Sequence, residues 1–545
     1  MFARIKKSGK YQYLQIVENR KEERKVKQTV IATLGRLEDL QEKGRVETLI
    51  RSLSRFSEKA LLIISGKSEL CAEARKIGPG LIFERLWEQS GIKQAILKQL
   101  KGRRFEFDVE RAVFLTVLHR LMVSGSDRFC DRWRRDYQIN GINEISLHHM
   151  YRAMGFLGKP LGEESALGLS PRCTKDLIEE HIFNQKRELF SSLDMVFFDT
   201  TSLYFEGQGG QSLGQRGFSK DQRPDLNQVV VGAGIDDRGR PICCELWPGN
   251  TTDVKTLIPV VDRIRQRFAV GWFCVVADRG MVSTETIERL EDPQTKISYI
   301  LGSRMRKVKE IKAEVLSRGG RYREVYPETN RSKDPEPLKV KEVIHKGKRY
   351  IVCVNPRQAR KDRADRQSIL ESLGEQLKSG VRKLIGNKGY RKYLKISKGS
   401  VAIDEAKVEY ESRFDGKWVL TTNTDFSAEK VALKYKELWQ VEQVFRDVKS
   451  ILETRPVYHQ RDDTIRGHVF CSFLALILRK ELERRLEAFG QQLEWAQIKQ
   501  DLKALQQIKL EEDGKRFVIR SQCKGVCGKV FQAVGVAMPP VICKT

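Results

Sequence analysis

Three acidic residues, far apart in a chain of 545 residues, have the surroundings expected of metal ligands. Asp199 lies inside the apolar segment "VFFDTTS", and Asp278 ends the apolar segment "CVVADRG". A carboxylate among apolar residues is costly unless it is paired or bound to a metal ion. The third acid, Glu442, lies in "YKELWQVEQVFRDVKS" (435–450), whose apolar spacing is typical of one helix.

That helix places its glutamate at the edge of the buried face. At about 100° per residue, the core face takes the apolar residues Leu433, Val441, Val444, Phe445, Val448, Ile451 and Leu452. The solvent face takes the polar residues Lys436, Gln440, Gln443, Asp447 and Ser450. Between the two faces runs a stripe formed by Tyr435, Leu438, Glu442, Arg446 and Lys449. The stripe therefore lines charged groups along the rim of the core.

The elements around Asp199 and Asp278 predict how the acids meet. Strands are predicted at 195–205, 228–236, 241–249, 272–281 and 297–305. Asp253 is predicted to cap a helix at 253–268, and Ser283 to cap a second helix. Three strands in a meander, a helix, a strand, a helix and a strand form the order of a ribonuclease-H-like core. In that order the first and fourth strands are neighbours, so Asp199 and Asp278 should meet, and the helix at 435–450 should bring Glu442 to them.

Three carboxylates at one point predict a site for one or two Mg²⁺ ions, because a divalent cation relieves the repulsion between them. Paired Mg²⁺ ions suit phosphoryl transfer, in which a water or a 3′-hydroxyl attacks and no side-chain nucleophile is needed. Each acid also has a structural interpretation. Asp199 could cap a turn with a neighbouring threonine, Asp278 could be an ordinary strand-end residue, and Glu442 could pair with Arg446 one turn on.

The charge of the chain predicts a polyanionic partner. Lys and Arg number 100 against 72 Asp and Glu, a formal net charge of +28. Nucleic acid and an anionic membrane both qualify, but no apolar run approaches the roughly 20 residues that span a bilayer. The first residues lack the apolar segment of a signal peptide, so a cytoplasmic protein is expected. The seven His are dispersed and show no metal-ligand spacing.

The predicted fold class is α/β, with the ribonuclease-H-like core (a mixed sheet with helices) interrupted by a β-rich insertion and preceded by a helical region. The helical region is expected to bind DNA, and the alternative is an ordinary helical subdomain. The expected parts are a β-hairpin region (1–60), the helical region (61–190), the first part of the core (191–305), the insertion (306–416), the last part with the glutamate helix (417–485), and a C-terminal region that is helical and then irregular (486–545).

The sequence resembles the bacterial insertion-sequence transposases of the Asp–Asp–Glu class, in particular the group with the signature Tyr-x2-Arg-x3-Glu-x6-Lys. The signature falls on Tyr435, Leu438, Glu442 and Lys449. The blocks "DTTSLYFEG", "GFSKDQRPDLNQVVVG", "PGNTTDVKTL" and "VVADRGM" are similar to those of that family and stand in the same order. Leu438 departs from the signature arginine, and Arg446 on the same stripe is its candidate substitute.

The resemblance implies the reaction and the partners. Asp199, Asp278 and Glu442 would be the catalytic and metal-binding residues, with Mg²⁺ or Mn²⁺ as cofactor, in two ions. A homodimer would bind the terminal inverted repeats of its own element and nick the 3′ ends. In many members of the group the freed 3′-hydroxyl then attacks the opposite strand to form a hairpin. The 3′ ends would finally be joined to target DNA. The expected place of action is the nucleoid in the bacterial cytoplasm.

Several side chains are expected to contact DNA. Arg446 and Lys449 would face phosphates, and Tyr435 would hydrogen-bond or stack at the DNA end, although ordinary packing explains Tyr435 equally well. Lys220 and Arg223 of the loop at 217–228 could reach the backbone, or the loop could simply be solvated. Members of the group often stack a flipped base on a tryptophan of the insertion, but Trp418 lies in an apolar strand, which favours core packing.

Two other functions remain open from the sequence. One is a non-catalytic DNA-binding protein derived from a transposase, against which the intact acidic set argues. The other is a structure-specific DNA nuclease without strand transfer, which the sequence separates poorly from a transposase.

Overall fold

The computed structural model describes residues 2–22, 25–42, 44–54, 71–162, 171–186, 195–268, 273–294, 297–326, 337–379, 392–397, 400–512 and 515–544. The chain forms two compact units. Unit 1 comprises Met1–Gly78, Trp495–Phe531 and Ala537–Thr545, and unit 2 comprises Pro79–Glu494 and Gln532–Val536.

Unit 1 contains two antiparallel sheets. The first has the order β1-β2-β3 and comprises β1 (Phe2–Ser8), β2 (Tyr11–Glu22) and β3 (Lys25–Arg36), followed by α1 (Leu37–Glu42) and α2 (Arg45–Ser54). The predicted hairpin is present as β2 and β3. The sequence analysis missed β1, whose residues are almost all exposed and so show no apolar alternation.

The second sheet of unit 1 joins distant parts of the chain, because β4 (Cys71–Lys76) pairs with a strand that follows residue 500. Its order is β18-β17-β16-β4, where β16 is Gln506–Glu512, β17 is Lys515–Arg520 and β18 is Ile542–Lys544. The prediction of an irregular end to the chain was therefore wrong for the segments that form these strands. A strand whose partner comes from the other end of the sequence gives no local signal of its pairing.

Unit 2 begins with six helices, as predicted for that region. They are α3 (Gly78–Gln89), α4 (Ile92–Leu100), α5 (Val109–Met122), α6 (Asp127–Trp133), α7 (Leu147–Leu157) and α8 (Thr174–Lys186). Asp108, Ser126 and Ser146 each cap a helix by accepting a backbone N–H. Helix α5 is buried along almost its whole length and forms the centre of this group.

A nine-stranded sheet forms the centre of unit 2, in the order β10-β11-β12-β15-β9-β8-β5-β6-β7. The strands that follow α8 are β5 (Met195–Tyr204), β6 (Gln228–Ile235), β7 (Pro241–Pro248), β8 (Cys274–Ala277), β9 (Ser298–Gly302), β10 (Arg323–Val325), β11 (Leu338–His345), β12 (Lys348–Val354), β13 (Leu394–Ser397), β14 (Ser400–Ile403) and β15 (Lys417–Thr422). β5, β8 and β9 are parallel to one another, and the other pairs are antiparallel. The five strands β7-β6-β5-β8-β9 have the predicted ribonuclease-H-like order, which confirms the predicted fold class.

Alternation along the strands divides the core between the two faces of this sheet. On one face, Val196 and Phe198 of β5 pack with Val260 and Ile264 of α9 (Leu257–Phe268). Helix α10 (Thr284–Glu291) connects β8 to β9 in the chain, and Ser283 caps it as predicted. The other face contributes Leu203 of β5 and packs against the C-terminal helices of the core. Asp199 shares the parity of Leu203, so its side chain belongs to this second face.

The insertion extends the sheet and also contains a long helix. Strands β10 to β12 join the core through β15, and β13 pairs with β14 as a separate hairpin. The charged sequence "PRQARKDRADRQ" begins α11 (Pro356–Ser379), which the β-rich prediction missed. Its first turns carry charged helix-forming residues without an apolar stripe, whereas Leu373, near its C-terminal end, is buried. α12 (Glu405–Ser412) follows β14.

The segment at 435–450 is not one helix. The structure has α13 (Ala428–Lys436), α14 (Trp439–Arg446) and a π-helical turn (Asp447–Ile451), with a break at Glu437 and Leu438. Next come α15 (Asp462–Ala488), α16 (Trp495–Ala504), β16 (Gln506–Glu512), β17 (Lys515–Arg520), α17 (Cys527–Val534) and β18 (Ile542–Lys544). None of the helices in the described ranges has the length and apolar character needed to cross a membrane.

Candidate active site

Asp199 and Asp278 lie side by side, as the predicted topology requires. β5 and β8 are parallel neighbours, and Phe198 is paired with Ala277, so the two acids occupy the next position in register. Asp199 continues β5, whereas Asp278 is the first residue after β8 and is exposed. The carboxyl end of β8 therefore opens to solvent beside the middle of a buried strand.

The charge of Asp199 is poorly compensated. Burial raises the pKa of Asp199 to about 6, the charges of Asp278 and Asp253 add to this rise, and Lys220 and the Thr200 backbone N–H oppose it. The N–H of Thr200 donates to Asp199 Oδ1 at 2.7 Å. This hydrogen bond from the following residue fits the alternative in which Asp199 caps a turn. A neutral N–H group, however, does not neutralise the charge of the carboxylate. Such an environment suits a cation.

Tyr435 reaches this pair of acids from α13. Its hydroxyl donates to Asp278 Oδ1 at 2.8 Å, and burial together with the Asp278 charge raises the pKa of Tyr435. The close approach depends on Gly302 at the end of β9. A Cβ there would overlap Tyr435 Oη and lie 2.9 Å from the backbone nitrogen of Arg279. Gly302 therefore leaves the space in which the Tyr435 hydroxyl reaches Asp278.

Glu442 lies on α14, which packs against β5 and β6. Its side chain is exposed and forms no ion pair with Arg446 or with any other residue in the described ranges. The ligand oxygens of Asp199, Asp278 and Glu442 do not all lie within 4.8 Å of one another. The structure thus joins the two aspartates directly and carries Glu442 on a helix of the same face, with its carboxylate apart from them. The three-acid metal site stays a prediction.

Lys449 is paired within the protein. Its Nζ lies 2.7 Å from Asp221 Oδ1, and Arg455 pairs with the same carboxylate. Asp221 is only 5 % exposed, so two cations converge on one buried acid. The sequence analysis missed Asp221 and Arg455, because their pairing joins the 217–228 loop to the segment after the π-helical turn. Arg446 is exposed, and the contacts of Arg446 and Lys449 with DNA stay predictions.

The loop at 217–228 turns one of its two predicted DNA-binding residues inward. Lys220 Nζ donates to the carbonyl and hydroxyl oxygens of Thr200, at 2.7 and 3.0 Å, and lies 3.2 Å from Asp253 Oδ2. Arg223 pairs with Asp225 at 2.9 Å, and its guanidinium lies over the Tyr204 ring. Lys220 thus faces the acid site, and Arg223 is the more accessible of the two for DNA.

Two of the predicted local roles were wrong. Asp253 does not cap a helix, because it begins a short 3-10 helix ahead of α9 and instead accepts a hydrogen bond from the Thr200 hydroxyl at 2.7 Å. Asp447, predicted on the solvent face, is fully buried and lies 3.3 Å from Arg479 of α15. The π-helical turn that starts at Asp447 changes the angular step per residue, so the α-helical projection fails from there.

Trp418 is half-buried in β15, opposite Cys353.

Two histidines and an acid that are not close in the sequence meet in the structure. His459 Nε2 lies 3.1 Å from His468 Nδ1 and 3.3 Å from Asp127 Oδ2. Within the described ranges these three residues are the one group of three or more acidic, His or Cys residues whose ligand atoms all lie within 4.8 Å of one another. Arg120 Nη2 already lies 2.8 Å from His468 Nδ1 and 3.8 Å from Asp127. A guanidinium therefore supplies the positive charge here, and the group links α5 and α6 to α15.

Comparisons with known proteins concern the family of the chain. Residues 191–478, just over half of the chain, match the family model of the transposase DDE domain. Residues 3–67 match the N-terminal domain of IS1634 family transposases. No curated protein sequence is detectably similar to this chain.

Among solved structures, the fold is similar to a piggyBac transposase synaptic complex with hairpin DNA, determined by cryo-electron microscopy. The identity is 11 %, the TM-score is 0.39, and the match covers 78 % of this chain and 79 % of that one. At that TM-score the likeness carries no weight for function. The match to the transposase DDE domain, which spans more than half of the chain, identifies the chain as a transposase of the DDE class.

Proposed function

We propose that this transposase binds the terminal inverted repeats of its own insertion sequence as a homodimer, cleaves the phosphodiester bonds at the 3′ ends, and joins those ends to target DNA. Asp199, Asp278 and Glu442 are the proposed catalytic residues, with hairpin-ended DNA as an intermediate. The observation that carries the proposal is the placement of Asp199 and Asp278 at neighbouring positions of the parallel strands β5 and β8, with the helix that bears Glu442 packed against β5 and β6.

The residues present fit a divalent cation. Asp199 and Asp278 are oxygen ligands of the kind that Mg²⁺ and Mn²⁺ prefer. Burial, with smaller contributions from the charges of Asp278 and Asp253, raises the pKa of Asp199, and a bound cation would offset that effect. Glu442, exposed and without an ion-pair partner in the described ranges, is available as a third ligand. We propose two Mg²⁺ or Mn²⁺ ions, which when bound would activate the attacking oxygen and neutralise charge on the leaving 3′-oxygen.

The chain itself contributes orientation and charge. Tyr435 fixes the Asp278 carboxylate through its hydroxyl. Arg446 is exposed on α14 and suits a DNA phosphate one helical turn from Glu442. Lys449 and Arg455 outnumber the single carboxylate of Asp221, so this cluster carries net positive charge. These cations would hold the backbone of the transposon end while water or a 3′-hydroxyl attacks.

Replacing each of the three acids by alanine tests the proposal. We expect Asp199→Ala, Asp278→Ala and Glu442→Ala to lower cleavage of a DNA fragment carrying the terminal repeat by about 10³-fold or more in Mg²⁺, because several kcal/mol of transition-state stabilisation is lost. Binding to the same fragment should change little. The matched control is Glu288→Ala, an exposed acid on α10, which should cleave normally.

The products separate the three functions. Hairpins and joined 3′ ends support transposition, whereas cleavage without joining indicates a nuclease. Binding without cleavage by the wild-type protein in either Mg²⁺ or Mn²⁺ indicates a non-catalytic DNA-binding protein. Full cleavage by any one of the three variants contradicts the catalytic assignment.

A further inference from the structure

Asp253 joins the chain segments that bear the two aspartates, although it follows β7 and belongs to neither segment. Its Oδ1 accepts the Thr200 hydroxyl at 2.7 Å, and Thr200 is the residue after Asp199. Its Oδ2 lies 3.2 Å from Lys220 Nζ and would lie 3.6 Å from a Cβ placed on Gly280, two residues after Asp278. One carboxylate therefore contacts β5 and lies beside the 3-10 turn (Arg279–Met281) that follows Asp278.

Lys220 closes this network from a third segment. Its Nζ donates to the Thr200 carbonyl and hydroxyl, and its backbone N–H donates to the Ser202 hydroxyl at 2.9 Å. Thr200 thus has both its hydroxyl and its carbonyl engaged by side chains from outside β5. A backbone held at these points has few ways to rotate, and the Asp199 carboxylate beside it is held in turn.

We propose that Asp253 and Lys220 are positioning residues that fix the Asp199–Thr200 segment in the geometry that receives the divalent ion. The proposal rests on the proposed function, since it assigns the cause of metal affinity at the same site. Partners in the shell behind metal ligands orient them, and their loss costs about 10–100-fold in metal affinity or activity. On this view Lys220 acts inside the protein, not as a contact to the DNA backbone.

The charges of this network support a positioning role over direct metal binding by Asp253. Both of its oxygens already have partners, one a hydroxyl and the other an ammonium group. Lys220 also sits close enough to Asp199 to lower the pKa of that acid. Asp253 therefore keeps a cation near Asp199 while its own charge is balanced by that cation.

Substitutions that separate the hydrogen bond from the charge test the proposal. Thr200→Val removes the hydroxyl at nearly constant volume, Thr200→Ser retains it, and Asp253→Asn keeps an acceptor but removes the charge opposite Lys220. The control is Asp262→Asn, an acid on α9 outside the network. We would measure Mn²⁺ binding by calorimetry, the Mg²⁺ concentration that gives half-maximal cleavage, and the affinity for end DNA in EDTA.

We expect Thr200→Val and Asp253→Asn to bind Mn²⁺ about 10-fold or more weakly and to require correspondingly more Mg²⁺. High Mn²⁺ should restore cleavage by both variants, and Thr200→Ser should cleave like the wild type. The DNA affinity and melting temperature of all three variants should stay close to those of the wild type.

Three results would overturn this inference. The first is unchanged Mn²⁺ binding in both Thr200→Val and Asp253→Asn. The second is a loss of DNA affinity and thermal stability as large as the loss of Mn²⁺ affinity, which would indicate general structural damage. The third is an Asp253→Asn protein as inactive at saturating Mn²⁺ as Asp199→Asn, which would make Asp253 a metal ligand. A wild-type protein that binds Mn²⁺ but cleaves no end DNA would instead contradict the proposed function.

Discussion

Asp199 holds its charge at a position where the strand is otherwise buried. Burial and the neighbouring acids raise its pKa to about 6 from an ordinary value of 3.8. At neutral pH the folded protein therefore keeps a carboxylate that its surroundings disfavour. Two pKa units correspond to about 3 kcal/mol of unfolding free energy. In the metal-free state this unfavourable environment lowers the free energy of unfolding of the protein.

Asp199→Asn should consequently stabilise the metal-free protein while it abolishes cleavage. At pH 7.5 in EDTA we expect a gain of up to about 3 kcal/mol in unfolding free energy, visible as a higher melting temperature. The folded pKa is raised, so the cost in the wild type is absent below about pH 4 and grows as pH rises towards 6. The gain should therefore shrink at pH 5. Asp278→Asn, at an exposed position, should change stability far less, and a destabilised Asp199→Asn protein at pH 7.5 would refute the argument.

At the scale of elements, polar contacts between side chains of separate helices connect those helices to one another. Asp127 of α6, Arg120 of α5 and His468 of α15 form one polar group with His459, in which Asp127 and Arg120 are buried and the two histidines are partly buried. His468 Nε2 also lies 3.1 Å from the Thr454 carbonyl, so the group reaches the chain between α14 and α15. Asp447, buried against Arg479, ties the end of α14 to α15 in the same way.

This histidine group predicts a pH dependence of stability. Burial, together with the charges of Arg120 and His459, lowers the pKa of His468 well below its ordinary value, although Asp127 opposes the shift. The unfolded chain takes up a proton near pH 6.5 and the folded one does not, so stability is full above that pH and falls below it. We expect the melting temperature to fall between pH 7.5 and 5.5, and His468→Gln to reduce this slope. An equal slope in the variant would assign the effect to other groups.

For the whole molecule, the net charge of +28 governs the encounter with DNA. Each phosphate that is neutralised releases counterions, so affinity should fall steeply with salt. For 6–10 phosphate contacts the expected loss between 50 and 200 mM salt is about 10³–10⁵-fold. Titration of the terminal repeat at several salt concentrations measures this slope. An affinity that stays constant over this range would contradict a binding surface built from basic residues.

The local patterns of the sequence were sufficient for the elements of the core. The apolar strands around Asp199 and Asp278 and the Ser283 cap depend on neighbours in the chain. The order of strands then limits the sheet to few topologies, so the adjacency of the two aspartates followed from the sequence by itself. The net charge and the family's signature residues were equally visible there.

Only the tertiary structure decided which polar side chains face one another. Asp253 was expected to cap a helix and instead holds Thr200 and Lys220, and Asp447 was expected in solvent and instead pairs with Arg479. Neither pairing leaves a periodic signal, because hydrogen bonds and ion pairs between distant segments depend on how the elements pack. The sequence determined which carboxylates share the sheet, whereas packing determined which cations and hydroxyls hold them, because a charge is settled by its neighbours in space and not in the chain.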